Sequence, residues 1–232
     1  QSGRLPPEAA VITIDDGWHG TFRVMLPILR ELRLPATLYC DTAHLEWGRP
    51  IPHVMVTYLK RCAPAPTPPA AEALYSAATD LSITLTDRLT AVRAYAAACS
   101  IDLKPYLENR AFDYMTPQEL RIARLNGLDV QLHTHRHSLH DFTWREIQCE
   151  IEDNRAALGQ LLGSGTFAHF CYPSGEHRLE AREMLAKLGV KSATTLRPGL
   201  CRKSGQDVMR LPRLIDGSHQ SDLEFEADLA GI

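Results

Sequence analysis

Short apolar runs alternate along the chain with segments whose apolar residues recur every three or four positions. Val11–Ile14 reads as a first strand. From Thr21 to Arg33, Phe22, Met25, Leu26, Leu29 and Leu32 fall on one helical face. Pro27 lies in the early turns, so this helix starts late or kinks there. Pro35 closes the turn, and Ala36–Cys40 reads as a second, buried strand. Strand, helix and strand in this order predict parallel strands joined by a right-handed crossover.

The alternation breaks between residues 44 and about 112. Ile51–Cys62 has helical character. Ala63–Pro69, with four prolines, reads as an extended stiff connector. Ala71–Ala78 is helical by composition, and Thr86–Cys99 carries Leu89, Val92 and Tyr95 along one side. This stretch reads as a helical insertion within one domain spanning 1–232. Its two readings are a lid that shapes the site and a packing cover outside it. The alternation then resumes. Thr116, Pro117 and Glu119 form a capping box that opens a helix to about Asn126, with Gly127 placed to stop it. Residues 128–132 read as a strand. Thr143 and Glu146 form a second capping box, followed by Ile147, Ile151, Leu158 and Leu161 on one face and a stop near Gly163. Thr166–Cys171 (strand), Leu179–Leu188 (helix ended by Gly189), Ser192–Thr195 (short strand), Val208–Leu214 (a further strand) and Leu223–Leu229 (helix) complete the pattern. No internal repeat is present.

Chemistry gathers where strands end. The first strand runs into Asp15-Asp16-Gly17. Two adjacent carboxylates do not both ionise cheaply unless a cation lies near. A metal held by one, with the other left as a base, resolves that; a solvated Asp-Gly turn is the competing reading. The strand at 128–132 runs into His133-Thr134-His135-Arg136-His137. His133 and His137 share a face whether the segment is extended or coiled, whereas His135 joins them only if it is extended. Two histidines and one carboxylate with open positions suit a catalytic metal. A histidine-rich surface loop is the alternative. Periodicity alone leaves a barrel-like and a doubly wound parallel α/β fold both open; either puts its site at the C-terminal ends of the strands.

Together these stretches resemble the polysaccharide deacetylase family, the NodB-like carbohydrate esterases. That family carries Thr-Phe-Asp-Asp-Gly, here Thr13-Ile14-Asp15-Asp16-Gly17. Its second motif, His-Ser/Thr-x-x-His, is here His133-Thr134-His135-Arg136-His137. Its third, in one branch Phe-x-Tyr-Pro-x-Gly, is here Phe170-Cys171-Tyr172-Pro173-Ser174-Gly175. The resemblance runs from about Val11 to Leu214 and implies a distorted (β/α) barrel with fewer than eight strands. It implies Asp15 as general base, and Asp16, His133 and His137 as ligands of one divalent ion: zinc most simply, with cobalt, nickel or iron as alternatives. A backbone N–H at Ser174 would hold the developing oxyanion. Tyr172 and Pro173 would wall the site, with plain strand-end packing as their other reading. Trp18 and Trp47 are candidates to stack on a sugar face; core packing is the alternative for both.

Three departures matter. Ile14 replaces phenylalanine. The C-terminal Leu-x-His motif, whose histidine protonates the leaving amine in the family, is absent; His219, His140 and His177 lie outside any matching context. Many relatives also carry an arginine two residues before the motif-three proline, paired with the catalytic aspartate. Here that position is Cys171. Arg213, after Leu211-Pro212, is placed to supply the missing guanidinium from another strand end; a surface arginine in an ordinary ion pair is the alternative.

Composition narrows the function. The 232 residues are 44% apolar with a net charge of −3, which gives no electrostatic case for nucleic acid or an anionic membrane. No run has the length of a membrane span, and Gln1–Pro7 shows no signal-peptide core, although the early first strand is consistent with a trimmed N-terminus. The six cysteines show no CxxC spacing and lean toward a reducing, cytoplasmic compartment. Three readings follow. The first is a metal-dependent deacetylase acting on N-acetylated (rather than O-acetylated) sugars of an envelope, O-antigen or exopolysaccharide glycan or its lipid-linked precursor. The second is a carbohydrate-binding protein without turnover on the same fold. The third is a cyclic-amide hydrolase.

Overall fold

Five strands form in the order the apolar runs predict: β1 (Ile12–Asp16), β2 (Ala36–Cys40), β3 (Asp129–Leu132), β4 (His169–Cys171) and β5 (Ser192–Thr194). The computed structural model describes residues 9–231 apart from 49, 140–142, 164, 176–178, 203–204 and 218–219. Every strand pairs in parallel with its neighbour in sequence, giving the sheet order β1-β2-β3-β4-β5. A doubly wound sheet reverses its winding at a switch point. No reversal occurs in this sheet, which curls into a half-barrel with fewer than eight strands.

The described helices are α1 (Leu26–Glu31), α2 (Ala43–Trp47), α3 (Pro52–Cys62), α4 (Pro69–Thr79), α5 (Leu85–Ala98), α6 (Lys104–Glu108), α7 (Pro117–Leu125), α8 (Trp144–Leu162), α9 (Leu179–Lys187) and α10 (Asp222–Ala230). Both expected capping boxes are present, Thr116 with Glu119 before α7 and Thr143 with Glu146 before α8. Each such cap contributes about 1 kcal/mol. Leu38, Val130, Leu132, Phe170 and Ala193 on the strands pack with Leu120, Ile151, Leu158 and Leu185 on the helices into the main core. The insertion builds a second core from α3, α4 and α5, in which Val56, Leu59, Val92 and Tyr95 are buried.

Local differences from the sequence expectation have physical causes. The first helix opens with a π-turn, Thr21–Met25, in which the Leu26 N–H reaches back five residues to the Thr21 carbonyl. Pro27 has no N–H to continue the α pattern. The wider turn rotates the helical face, so Leu26 is buried while Met25 and Leu32 are about half exposed or more. β4 is shorter than Thr166–Cys171 because a side chain replaces the ladder. Gln131 Oε1 accepts from the Ala168 and His169 N–H groups, both at 3.0 Å, and Gln131 Nε2 donates to the Thr166 carbonyl. Val208–Leu214 is not a strand. Asp207 turns the chain, its carbonyl accepting from Arg210 N and its side chain from Met209 N. Pro212 then lacks a donor, so only scattered bonds, such as Leu211 N–H to the Ala193 carbonyl, tie this segment to β5.

Candidate active site

β1 ends in a three-residue turn that splits its two carboxylates. The Gly17 N–H donates to the Asp15 carbonyl at 3.0 Å, and Asp16 takes φ +73°. This turn is rare because it strains a non-glycine residue. Gly17, at φ +119°, permits it; a Cβ there would stand 3.0 Å from Cys40 Sγ. Asp15 and Asp16 therefore reach into one region with different neighbours.

Asp16 faces the histidines. His133 Nε2 and His137 Nε2 each lie 3.1 Å from Asp16 Oδ1. Its other oxygen accepts the Trp18 indole N–H at 2.8 Å. His133 is fully buried and its Nδ1 lies 2.8 Å from the Cys171 carbonyl. A carbonyl only accepts, so Nδ1 carries the hydrogen. In the neutral ring Nε2 then presents a lone pair to a carboxylate oxygen, an arrangement that needs a cation between them. The three ligand atoms lie within 4.8 Å of one another. Atoms bound to one ion at about 2.0–2.2 Å stand roughly 3–3.5 Å apart, and the two 3.1 Å separations match. The donor set of one carboxylate and two imidazoles therefore fits a divalent ion. In its absence burial works against the Asp16 charge, but the hydrogen bonds and charges of His133 and His137 outweigh it and hold the carboxyl far below its usual range.

Asp15 faces the other way. Arg213 grips it with both arms, Nη1 to Oδ1 at 2.8 Å and Nη2 to Oδ2 at 2.7 Å. Arg213 Nη1 also donates to Thr13 Oγ1, Nε donates to the Thr195 carbonyl at 3.0 Å, and Nη2 lies 3.1 Å from Cys171 Sγ. The guanidinium thus ties β1 to the end of β5, the two outer strands of the sheet. Burial lowers the Arg213 pKa, but Asp15 and its other neighbours outweigh that and raise it further, so the group is a fixed cation. Cys171 occupies the position where the resemblance anticipates an arginine, and its buried thiol lies 3.5 Å from Asp15 Oδ2. Across the ladder from Asp15, burial pushes the Tyr39 hydroxyl up to about 12, so it stays protonated.

Other expected residues sit elsewhere. Tyr172 is fully buried, edge-on to Phe170, and its hydroxyl donates to the Met209 carbonyl. Pro173 is buried beside it. Both side chains pack inward at the strand end. Ser174 is exposed at φ +55°. Gly175 beside it is irreplaceable in this packing, since a Cβ would stand 2.6 Å from Leu196 Cγ. Trp18 is only partly exposed, packs on Tyr114 at 4.5 Å between ring centroids, and spends its N–H on Asp16. Trp47 is 61% exposed. His135 stays away from the cluster, with Nδ1 2.7 Å from Thr42 Oγ1. His140, His177 and His219 lie outside the described residues.

Three supporting residues were not anticipated. Asn154 of α8 is fully buried; its Oδ1 accepts the His133 N–H, and its Nδ2 donates to the Cys40 carbonyl and to Thr42 Oγ1. Glu150, one turn earlier, accepts from the His135 and Arg136 N–H groups at 2.9 and 2.7 Å. They share the buried face of α8 with Ile147, Ile151 and Leu158, and polar residues at core-facing helical positions were the available signal. Asp41, the third, is buried at the end of β2 with Oδ1 2.7 Å from His44 Nδ1.

Solved structures share this arrangement of elements. The deacetylase PplD of Streptococcus pyogenes, in complex with acetate, aligns with a TM-score of 0.64 at 17% identity, over 98% of this chain and 74% of that one. IcaB from Ammonifex degensii aligns at 0.63 and 18%, over 97% and 75%. The deacetylase domain of BpsB from Bordetella bronchiseptica aligns at 0.57 and 17%, over 90% and 71%. At these identities the likeness is one of fold. Comparison with curated proteins gives no match. The sequence profile described as polysaccharide deacetylase matches residues 2–193. With three motif segments converging at the strand ends of a parallel half-barrel and the profile covering most of its length, this chain belongs to the polysaccharide deacetylase family.

Proposed function

We propose that this protein is a metal-dependent hydrolase that removes acetyl groups from N-acetylated sugars of a polysaccharide or its precursor. The observation that carries the proposal is the division of labour between two adjacent acids. Asp16 lies 3.1 Å from a nitrogen of each of two histidines, whereas Asp15, though within 4.8 Å of His133, is held by the two arms of Arg213. Asp16, His133 and His137 would hold one divalent ion, zinc most simply. Such an ion, when bound, supplies Lewis acidity that polarises the acyl oxygen and makes water a stronger nucleophile near neutral pH.

The chain's own residues supply the rest. Arg213 fixes both oxygens of Asp15, and Asp15 takes the proton from the attacking water. The Cys171 carbonyl fixes the tautomer and orientation of His133. Trp18 holds Asp16 from the opposite side and offers part of its ring to a sugar. The exposed Ser174 turn is the proposed source of a backbone N–H for the developing oxyanion.

The test is metal analysis with acetate release from acetylated chito-oligosaccharides. One equivalent of divalent ion and acetate release that a chelator abolishes and added metal restores are expected. Oligosaccharide binding without acetate release in zinc, cobalt, nickel or iron would replace this reading with that of a binding protein.

A further inference from the structure

The first helix carries more apolar residues than the core receives. Leu26 is buried and Leu29 packs against the core, but Val24, Met25, Ile28 and Leu32 are each about half exposed or more. These four share the outer side of the helix. Contiguous exposed apolar surface rimmed by polar residues marks an interaction site. Beside this strip, α1 and α7 leave a cleft of about 440 Å³. Phe22, Leu26 and Ile122 floor it, and Arg23, Arg30 and Asn126 edge it. It continues past Arg30 to Leu29 and Arg33. The three arginines are exposed, and none meets a carboxylate among the described residues. Glu31 is the one acid of α1.

Such a surface fits a helix of opposite charge with apolar residues of its own, and the chain carries one. α10 buries none of its residues. Asp222, Leu223, Glu226, Leu229 and Ala230 fall on one side of it, all exposed, Leu223 to 76%. Its other two acids are spent locally. Glu224 closes the capping box with Ser221, and Asp228 accepts from Gln220 Nε2 at 2.6 Å. Asp222 and Glu226 meet no cation among the described residues. At 1.5 Å per residue α10 is about 14 Å long, and the π-turn with α1 is about 16 Å. The whole of α10 can therefore lie along the cleft. It does not do so within one molecule, where its outer side and the strip on α1 both stay exposed. Its end rests instead near Leu200, in the segment after β5.

We infer that the cleft between α1 and α7 receives the α10 of a second copy of this chain. Leu223 and Leu229 cover the apolar strip, and Asp222 and Glu226 meet the arginines along its edge. Charge decides against the other occupants. Two α1 strips face to face would set Arg23, Arg30 and Arg33 against their own counterparts. An anionic membrane would satisfy the arginines but leave α10 without a partner and repel a chain of net charge −3. Each copy offers one cleft and one helix. Two copies that give their helices to each other make the contact twice and close as a dimer; a head-to-tail contact leaves the assembly open. The contact rests on no step of the proposed reaction.

The test is sedimentation velocity on the full chain in about 50 mM salt, at concentrations up to about 0.1 mM. Self-association that weakens as salt rises is expected. Two double variants carry the assignment. Arg23→Glu with Arg30→Glu makes the cleft acidic, and Asp222→Arg with Glu226→Arg makes α10 basic. Each, with circular dichroism unchanged, should associate roughly tenfold or more weakly than wild type. Their equimolar mixture should associate again. The unaltered cleft of one then meets the unaltered α10 of the other, and the two reversed surfaces also match. If a reversal disturbs the fold, Arg30→Gln and Glu226→Gln make the same comparison without repulsion, each weakening association. A wild-type chain that is monomeric throughout overturns the inference, and one that is monomeric yet binds phosphatidylserine vesicles gives the cleft to a lipid surface instead. An α10 variant that associates like wild type, or a mixture no tighter than its components, also overturns it.

Discussion

Removing Arg213 is the sharpest test of the site, because the same contacts serve geometry and stability. Its guanidinium makes two short charged bonds to Asp15, one to Thr13 Oγ1, one to the Thr195 carbonyl and one to Cys171 Sγ. A hydrogen bond to a charged group is worth about 1.5–3 kcal/mol. Asp15 keeps 26% of its side chain exposed, so water rehydrates it in part and the low end applies. Two bonds to Asp15 then contribute about 3 kcal/mol and the Thr195 carbonyl about 1 kcal/mol more. Arg213→Met should cost about 3–4 kcal/mol, a large share of a typical stability of roughly 5–15 kcal/mol. Arg213→Lys keeps the charge but spans only one Asp15 oxygen, and should cost about 2 kcal/mol. The assay is urea unfolding of metal-free protein in a double-mutant cycle with Asp15→Asn, where a coupling of about 1.5–3 kcal/mol is expected. With metal restored, Arg213→Lys should already lose roughly 10–100-fold in rate from misplacement of the base. A methionine variant within about 0.5 kcal/mol of wild type, the usual range for surface changes, with an unchanged rate, would refute the reasoning and return Arg213 to the surface.

Three further outcomes follow from the same geometry. Asp15→Asn is nearly isosteric but cannot take a proton, so acetate release should fall by about 10²–10⁴-fold while metal content hardly changes; loss of metal instead would exchange the two aspartate roles. His133→Ala, or His137→Ala on the exposed side of the cluster, should abolish stoichiometric metal in a protein whose circular dichroism stays folded, and full occupancy in either variant would sink the ligand assignment. In metal-free protein burial lowers the His133 pKa, but Cys171 and Asp16 raise it more, for a net rise. That stabilisation is complete below the unfolded value of about 6.5 and is lost as pH rises through the folded value. The depressed Asp16 pKa contributes above about 3.9 and fades only in strong acid. The melting temperature of the chelated protein should therefore fall on the alkaline side and one equivalent of zinc should cancel the fall; a flat alkaline profile without metal would contradict the contacts around His133.

What was legible in the sequence was whatever depends on local rules. Val11–Ile14 and Ala36–Cys40 are apolar and β-branched enough to read as strands wherever they lie. Thr116 with Glu119 and Thr143 with Glu146 announce helix starts within four residues. The adjacent acids and the His133–His137 spacing place their atoms together because each follows a strand of one parallel sheet. The rest depends on contacts distant in sequence. Nothing near Gln131 tells that its amide will replace part of the β3–β4 ladder, and Val208–Leu214 reads as a strand until Asp207 is seen to turn the chain. Tyr172 carries a motif position yet packs inward, because side-chain direction at a strand's end follows register, which the sequence does not state.

Five strands do not close a ring, and a complete barrel seals itself with backbone bonds that no substitution removes. Here β1 and β5 lie at opposite ends of the sheet, and one arginine reaches from the end of β5 to both the Thr13 hydroxyl and the Asp15 carboxylate. Arg213 thus spans the seam between them. A change at position 213 would loosen that closure and release Asp15 in the same event. On the proposed function, selection for a well-closed fold and selection for turnover would act on position 213 in the same direction, without the usual exchange of activity for robustness.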